Sequence, residues 1–326
     1  MIALLLLVAI PALILTIFAI PYIVKKTEEM SLFDTPSMRK IHTTPVSRMG
    51  GLCFMPIMLI SMVIVLTFDN ALGFQLDGGL YGITNTWRMI VLVLSTSVLY
   101  VTGIFDDLYG LGYKVKFCAQ ILSAVFVAFG LCAPVFGITY QIFVIIFFIV
   151  FVLNAVNLID GIDGLASGIA IITLIVLLIC HSMLGNWFGA LLSCAMLSIL
   201  AVYFYYNVYS WEYKIFMGDT GSLTIGLVIA YLIVSAHVME QKGEGGIPYY
   251  LPICIAPLTI PMADLVRVFF YRLFNHKNPF LPDKKHIHHL LMAKGLTQSQ
   301  VLQYLLFDTC LIAIGAWVLV MFVIHK

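Results

Sequence analysis

Charge is scarce in this chain. Lysine, arginine, aspartate and glutamate together make up 10% of its 326 residues, where a soluble domain carries about 25%. So few charges cannot cover a water-exposed surface, which excludes an ordinary soluble enzyme. Net charge is only +1, so no basic excess points to a nucleic-acid partner, and none is expected. Paired cysteines are lacking too. Cys53, Cys118, Cys132, Cys180, Cys194, Cys254 and Cys310 fall mostly inside apolar runs with no C-x-x-C spacing. That argues against a disulfide framework or a cysteine metal knot and leaves them as packing residues. Met1 to Ile23 lacks the basic stretch that opens a secretory leader, and Lys25 and Lys26 follow the apolar run instead. That order predicts a retained first span.

What the chain has is apolar length. Hydrophobic residues make up 62% and mean hydropathy is +1.06. Ten segments are long enough to cross a bilayer core of about 30 Å. They run Met1–Ile23, Gly50–Phe68, Arg88–Phe105, Phe117–Phe136, Ile138–Val156, Leu165–Leu184, Trp187–Val208, Ser222–Val238, Tyr249–Leu273 and Gln303–Ile324. The ninth holds Pro252, Pro257 and Pro261 and is expected to kink or break. Its Asp264 and Arg267, three apart, can pair on one helix face. The expected fold is all-α, a polytopic membrane protein of about ten transmembrane helices with a cytoplasmic-face active-site cleft. Residues 1–326 read as one domain, with cytoplasmic loops at about 24–49, 106–116, 157–164, 209–221 and 274–302.

The distribution of positive charge tests that count. With the N-terminus outside, the cytoplasmic side receives Lys25, Lys26, Arg39, Lys40, Arg48, Lys114, Lys116, Lys214, Arg267, Arg272, Lys277, Lys284, Lys285 and Lys294. Of 17 lysines and arginines, only Arg88, Lys242 and Lys326 fall outside. Cytoplasmic loops carry such an excess, so both termini are expected outside. Tyr203, Phe204, Tyr205, Tyr206, Tyr209 and Trp211 read as an interfacial aromatic belt.

The polar residues gather on the same side. Asp106 and Asp107 end the third span, Asn154 to Gly164 joins the fifth and sixth, Gly218-Asp219-Thr220-Gly221-Ser222 opens the eighth, and His286-Ile287-His288-His289 lies in the last large loop. Asp106, Asp107, Asp160, Asp163 and Asp219 therefore share one membrane face, close to hydrocarbon, where a charge is expensive unless paired or functional. Clustered carboxylates with an amide oxygen suit a hard cation such as Mg²⁺. Glycines in the Asn154–Gly164 run let backbone amides approach an anion, and the turn feeds a helix N-terminus. Arg39, Lys40, Arg48, Lys114 and Lys116 add charge for phosphates. No Ser-His or Cys-His nucleophile stands in an evident setting. The set points to phosphoryl transfer by positioning and charge neutralisation.

The blocks Asp34 to His42, Pro45 to Gly51, Gly103 to Asp107, Asn154 to Gly164, Phe216 to Ser222 and His286 to His289 occur in that order. Together they resemble the polyprenyl-phosphate N-acetylhexosamine-1-phosphate transferase superfamily, with bacterial undecaprenyl-phosphate N-acetylglucosamine-1-phosphate transferases as the branch most like this chain. The resemblance implies Mg²⁺ (with Mn²⁺ as substitute), a UDP-N-acetylhexosamine donor and an undecaprenyl phosphate acceptor. It implies a multi-pass protein of the bacterial cytoplasmic membrane, and a homodimer is compatible with it. By the same resemblance, Asn157 and Asp219 match metal ligands. Asp106 and Asp107 match paired aspartates, for which catalytic and metal-organising roles both stand. Asp160 and Asp163 match positions meeting the nucleoside or sugar, and Lys116 a basic residue near the acceptor phosphate. Arg48, His286, His288 and His289 match elements holding the donor, and Asp34 belongs to the same cleft.

Other readings compete. The histidine block could bind zinc, but no cysteine or fourth ligand has the spacing. Ten spans with a broken helix fit an ion-coupled transporter, yet its carboxylates belong near the midplane and these sit at span ends. A membrane scaffold leaves the ordered acidic motifs unexplained. Within the enzyme class, the muramoyl-pentapeptide phosphotransferase branch is the rival, and Asp34-x-Pro36 with the short histidine block fits the N-acetylhexosamine branch better.

Overall fold

The computed structural model describes residues 2–30, 32, 46–72, 84–241, 249–276, 278 and 285–324. Asp34, Arg39, Lys40, Lys242, Lys277, Lys284 and Lys326 lie outside these residues. Among the described residues, ten helices are long and apolar enough to cross a membrane. No strand forms there, only an isolated parallel bridge between Ser47 and Ile215.

The spans follow the apolar runs. They are α1 (Ile2–Glu29), α2 (Phe54–Leu72) with a 3₁₀ turn (Gly50–Cys53) before it, and α3 (Asn85–Tyr109). α4 (Tyr113–Val127) continues through a π-helical turn (Ala128–Cys132) into α5 (Ala133–Phe136). Then come α6 (Tyr140–Ile159), α7 (Leu165–Met183), α8 (Trp187–Val208) and α9 (Gly218–Glu240). The ninth span is broken, as its prolines predict, into α10 (Tyr250–Ile255), a 3₁₀ turn (Ala256–Leu258) and α11 (Thr259–Phe274). A short helix α12 (Ile287–Ala293) precedes the last span, α13 (Gln298–Ile324).

Helices extend into several of the segments expected as loops. α1 runs on to Glu29, α3 to Tyr109 and α6 to Ile159, while α4 starts at Tyr113 and α9 at Gly218. Asp106, Asp107, Lys116, Asn157 and Asp219 therefore stand on helix ends, not in the loops at 106–116, 157–164 and 209–221. The region 274–302 contains α12 and the start of α13. The reason is that an apolar run stops at its first charge, whereas a helix stops where its backbone turns. On α3 that turn is Gly110, at φ 69 in the left-handed region, with its N–H on the Asp106 carbonyl.

α9 is the hub. Its central window is 89% buried, against 22% for α1 and 17% for α13, so those two form the lipid-facing periphery. α3 and α6 pack most extensively on α9. Close crossing there depends on missing side chains. A Cβ on Gly103 would strike the Thr220 backbone, and one on Gly51 the backbone of Gly221. Gly103→Val is expected to lose folded protein, because overpacking costs about 1–3 kcal/mol and the obstacle is backbone that cannot rotate away. Thermal unfolding in detergent measures this, and an unchanged midpoint would refute the crossing.

At the opposite end of α3 from Asp106, a polar network ties the bundle. Arg88 is buried and donates to Asn186 Oδ1 at 3.0 Å, and Asn186 Nδ2 lies 3.0 Å from both His181 and Ser235. An apolar cavity of about 510 Å³ between α10, α11 and α13, lined by Leu251, Pro252, Thr259, Gly315 and Leu319 among others, shares no residue with the acidic group described next.

Candidate active site

Four side chains from four helices meet at one end of the bundle. Lys116, in the first turn of α4, places Nζ 3.0 Å from Asp106 Oδ2 and 2.8 Å from Asp219 Oδ2. Asn157, in the last turn of α6, donates from Nδ2 to Asp219 Oδ1 and to Ser222 Oγ, both at 2.8 Å. Asp106 is fixed further by the Leu111 N–H, 2.6 Å from its Oδ1. The Lys116 and Asp219 side chains keep 26% and 25% of their surface, and Asp106 9%, so the first two are open to a ligand. The ammonium stands between two carboxylates, where the protein already balances a cation.

The paired aspartates divide by direction. Asp107 turns to the N-terminus of α9. Its Oδ1 accepts the Asp219 N–H at 2.8 Å, and its Oδ2 accepts the Thr220 N–H at 3.0 Å and the Thr220 hydroxyl at 2.6 Å. α9 has no side-chain cap of its own, since Met217 stands at the cap position. Asp107 supplies one from another helix, satisfying orphan donors and complementing the helix dipole. Gly218 permits it with φ 70, and a Cβ there would strike the Arg48 carbonyl and the Asp107 carboxylate. Residues 46–51 run beside 215–217, with Phe216 N on Ser47 O at 2.8 Å and Gly50 N on Phe216 O at 2.9 Å. This pairing brings Arg48 to the start of α9.

The turn between α6 and α7 forms the next wall. Asp163 pairs with Lys214 at 2.6 Å. Asn207 of α8 accepts the Gly164 N–H at 2.7 Å and donates to the Ile215 carbonyl at 2.8 Å, locking this turn to the strand-like segment before α9. Asp160 is an exposed residue whose carboxyl group is crowded by neighbouring protein atoms. That burial, with the negative charges of Asp219, Asp163 and Asp107, pushes its carboxyl up to about 7, and Arg48 opposes the shift. Asp160 therefore holds its proton to a higher pH than an ordinary carboxylate. A cation bound beside it would favour the anion, so affinity would rise with pH and binding would release a proton. Mn²⁺ affinity is expected to climb between about pH 6 and about pH 8, and Asp160→Asn to flatten that slope. Calorimetry in two buffers of different ionisation heat checks both; an equal slope in the variant would clear Asp160 of the effect.

The three histidines have different surroundings. His286 Nδ1 lies 2.8 Å from Asp264 Oδ2. His288 is buried, packs its ring against Gly161, and has no hydrogen-bond partner at either ring nitrogen among the described residues. Burial first, then its histidine neighbours, lowers its pKa to about 3, so the ring is neutral. His289 is half-buried, its ring centroid 4.3 Å from that of His288. Asp34 lies outside the described residues. Asp264 and Arg267 do pair, at 2.6 Å. Sequence reasoning gave no role to Thr220, Ser222 or Lys214. Their place inside or beside the acidic blocks was the available signal.

A helical, multi-pass membrane protein with a lysine-bridged acidic group at one end of its spans is the class these features define. Residues 89–237 match the profile of glycosyl transferase family 4. The chain is 31% identical to a probable undecaprenyl-phosphate N-acetylglucosaminyl 1-phosphate transferase of Bacillus subtilis (strain 168), over 87% of this chain and 76% of that one. It is 28% identical to the decaprenyl-phosphate N-acetylglucosaminephosphotransferase of Mycobacterium tuberculosis (strain CDC 1551 / Oshkosh), over 95% and 81%. An Escherichia coli (strain K12) undecaprenyl-phosphate alpha-N-acetylglucosaminyl 1-phosphate transferase is 30% identical over 36% of this chain and 32% of its own. The chain belongs to glycosyl transferase family 4.

Proposed function

We propose that the protein transfers N-acetylhexosamine-1-phosphate, GlcNAc-1-phosphate in the first instance, from a UDP-sugar to undecaprenyl phosphate. It releases UMP and makes a polyprenyl-diphosphate sugar. The observation that carries this reading is the convergence of Asp106, Lys116, Asn157 and Asp219 beside the Asp160–Gly164 turn. The printed names of the relatives support the same chemistry.

An oxygen of the acceptor phosphate forms a bond to the donor's β-phosphorus in line. The bond from that phosphorus to the oxygen bridging it to the α-phosphorus breaks, UMP departs with the electron pair, and the sugar–phosphate bond survives. A phosphomonoester's second pKa is about 6, so the acceptor is already mostly dianionic near neutrality and needs no obligatory base. Asp106 therefore orients Lys116, and Lys116 steadies the acceptor phosphate. Arg48 serves the donor's phosphates, Asp160 and Asp163 its nucleoside or sugar, and the histidine segment closes the donor side.

The donor set fits Mg²⁺. Asp219, Asp106 and the Asn157 amide oxygen are hard oxygen donors. No group of three or more His, Cys, Asp or Glu gathers among the described residues as a closed metal cage, and Mg²⁺ usually takes one or two carboxylates with substrate phosphates and waters. When bound, such an ion neutralises charge on the phosphates. The inner leaflet is the natural side. Lys25, Lys26, Arg48, Lys114, Lys116 and Lys214 stand at the site's end of their spans, and the positive-inside rule places that end in the cytoplasm with both termini outside. We place the protein in the bacterial cytoplasmic membrane.

Purified protein with undecaprenyl phosphate, Mg²⁺ and a panel of UDP-sugars is expected to release UMP and form lipid-linked product, with UDP-GlcNAc the best donor. Chelation should stop it. UMP release indifferent to chelator, or none with any UDP-sugar, would overturn the reading.

A further inference from the structure

Asp264 lies in the second half of the broken ninth span, far in sequence from the acidic blocks, and nothing above gives it a function. Its side chain is 2% exposed. Three donors converge on it. His286 Nδ1 lies 2.8 Å from Oδ2, the Ile287 N–H 3.0 Å from Oδ1, and Arg267 Nη2 2.6 Å from the same Oδ1. Arg267 also donates to the Lys285 carbonyl. The pair thus grips three consecutive residues, Lys285 to Ile287, immediately before α12.

That grip matters because α12 cannot hold itself in place. It has seven residues, and His286 at its cap position makes no side-chain cap bond. A helix this short is unstable alone in water, so its position comes from tertiary ties. At one end the tie is Asp264, and at the other the chain turns through Gly295 at φ 95 into α13. Between them α12 presents His288 to Gly161, so closely that a Cβ on Gly161 would lie inside the imidazole. Gly161 follows Asp160 and begins the turn that carries Asp163. A buried carboxylate in α11 therefore reaches the cleft through a helix, a histidine ring and a glycine.

We infer that Asp264 is a positioning residue for the donor side of the site: it sets α12 against the Asp160–Gly164 turn and so fixes the spacing the nucleotide-sugar meets. This rests on the transferase reading for the identity of the donor, though not for the geometry. Its charge is the operative property. An ionised carboxylate accepts from all three donors, and charge-assisted bonds of this kind are about twice as strong as neutral ones. The isosteric amide of Asp264→Asn presents an N–H₂ to one of them.

Two variants and two readouts test it. In Asp264→Asn, hydrogen–deuterium exchange of the amides of residues 287–294 is expected to speed up while that of α9 stays unchanged. The kcat/KM for UDP-GlcNAc should fall about tenfold to a hundredfold, the effect expected of a displacement of about 1 Å, with a raised donor KM and the KM for undecaprenyl phosphate unchanged. Gly161→Ala leaves Asp264 intact and pushes His288 away, and should reproduce the donor-specific rise. A structural role alone would lower the yield of folded protein and the apparent turnover and leave both KM values unchanged. Unaltered exchange in Asp264→Asn, or altered exchange with an unaltered donor KM, overturns the inference. If the wild-type protein releases no UMP, the transferase reading fails instead, and faster exchange in Asp264→Asn still separates the grip on α12 from that failure.

Discussion

Lys116→Gln is expected to bind a divalent cation more tightly than the wild-type protein while losing turnover. The ammonium lies within 3.0 Å of Asp106 and 2.8 Å of Asp219, and a cation using those oxygens must displace it or share them. At an effective dielectric of about 20, a charge pair at 4 Å is worth about 4 kcal/mol. Releasing even a third of that for metal binding tightens affinity about tenfold. Glutamine keeps a hydrogen-bond donor, so the pocket is not emptied. Turnover should nonetheless fall about a hundredfold or more, the scale for deleting a charged group that stabilises a phosphoryl transition state. Mn²⁺ titration followed by electron paramagnetic resonance gives the affinity, and UMP release gives the rate. Weaker metal binding in the variant would refute competition for the same oxygens, and wild-type turnover would remove Lys116 from the reaction.

The second large effect separates Asp219, in α9's first turn, from Asp107, which caps that turn from α3. Asp219→Asn is expected to abolish UMP release, by about a thousandfold, with a normal unfolding midpoint. The bonds that hold the start of α9 run from the backbone N–H groups of Asp219 and Thr220 to Asp107, and the substitution leaves them in place. Asp107→Ala is expected to do the reverse first. It strips an ionised acceptor from three donors, and hydrogen bonds to charged groups contribute about 1.5–3 kcal/mol each. Folded yield and midpoint should therefore drop whatever happens to activity. Asn157→Ala should follow Asp219→Asn, since its amide meets Asp219 and Ser222. A stable, inactive Asp107→Ala would return Asp107 to a direct role in the chemistry. A destabilised Asp219→Asn would make Asp219 a structural residue.

Much of the fold was legible because lipid imposes one-dimensional rules. Each span needs enough apolar residues to cross the hydrocarbon and a helix to satisfy its own backbone, so runs such as Gly50–Phe68 and Trp187–Val208 coincide with the helical spans in the structure. Pro252, Pro257 and Pro261 announced the break in the ninth, and the three-residue spacing of Asp264 and Arg267 announced their pair. The loops were less legible. Asp106 and Asn157 look like loop residues by composition, yet they occupy helix ends, because polarity changes before the backbone does.

The candidate site was legible as a set of residues and not as an arrangement. Asp106 and Asp107 are adjacent in the chain, but successive helix residues point about 100° apart. One therefore meets Lys116 on α4 and the other the start of α9, which no spacing reveals without knowing which helices are neighbours. The histidines divide likewise into one held by Asp264, one sealed on Gly161 and one half-buried. By itself, the sequence determined the membrane spans, the break in the ninth and the face on which charge collects, since each follows from local length, backbone chemistry or transfer energy. Only the tertiary structure decided that Lys116 bridges two carboxylates and that Asp264 governs a distant wall of the cleft. Such contacts join residues far apart in the chain, and their partners are chosen by how the helices pack.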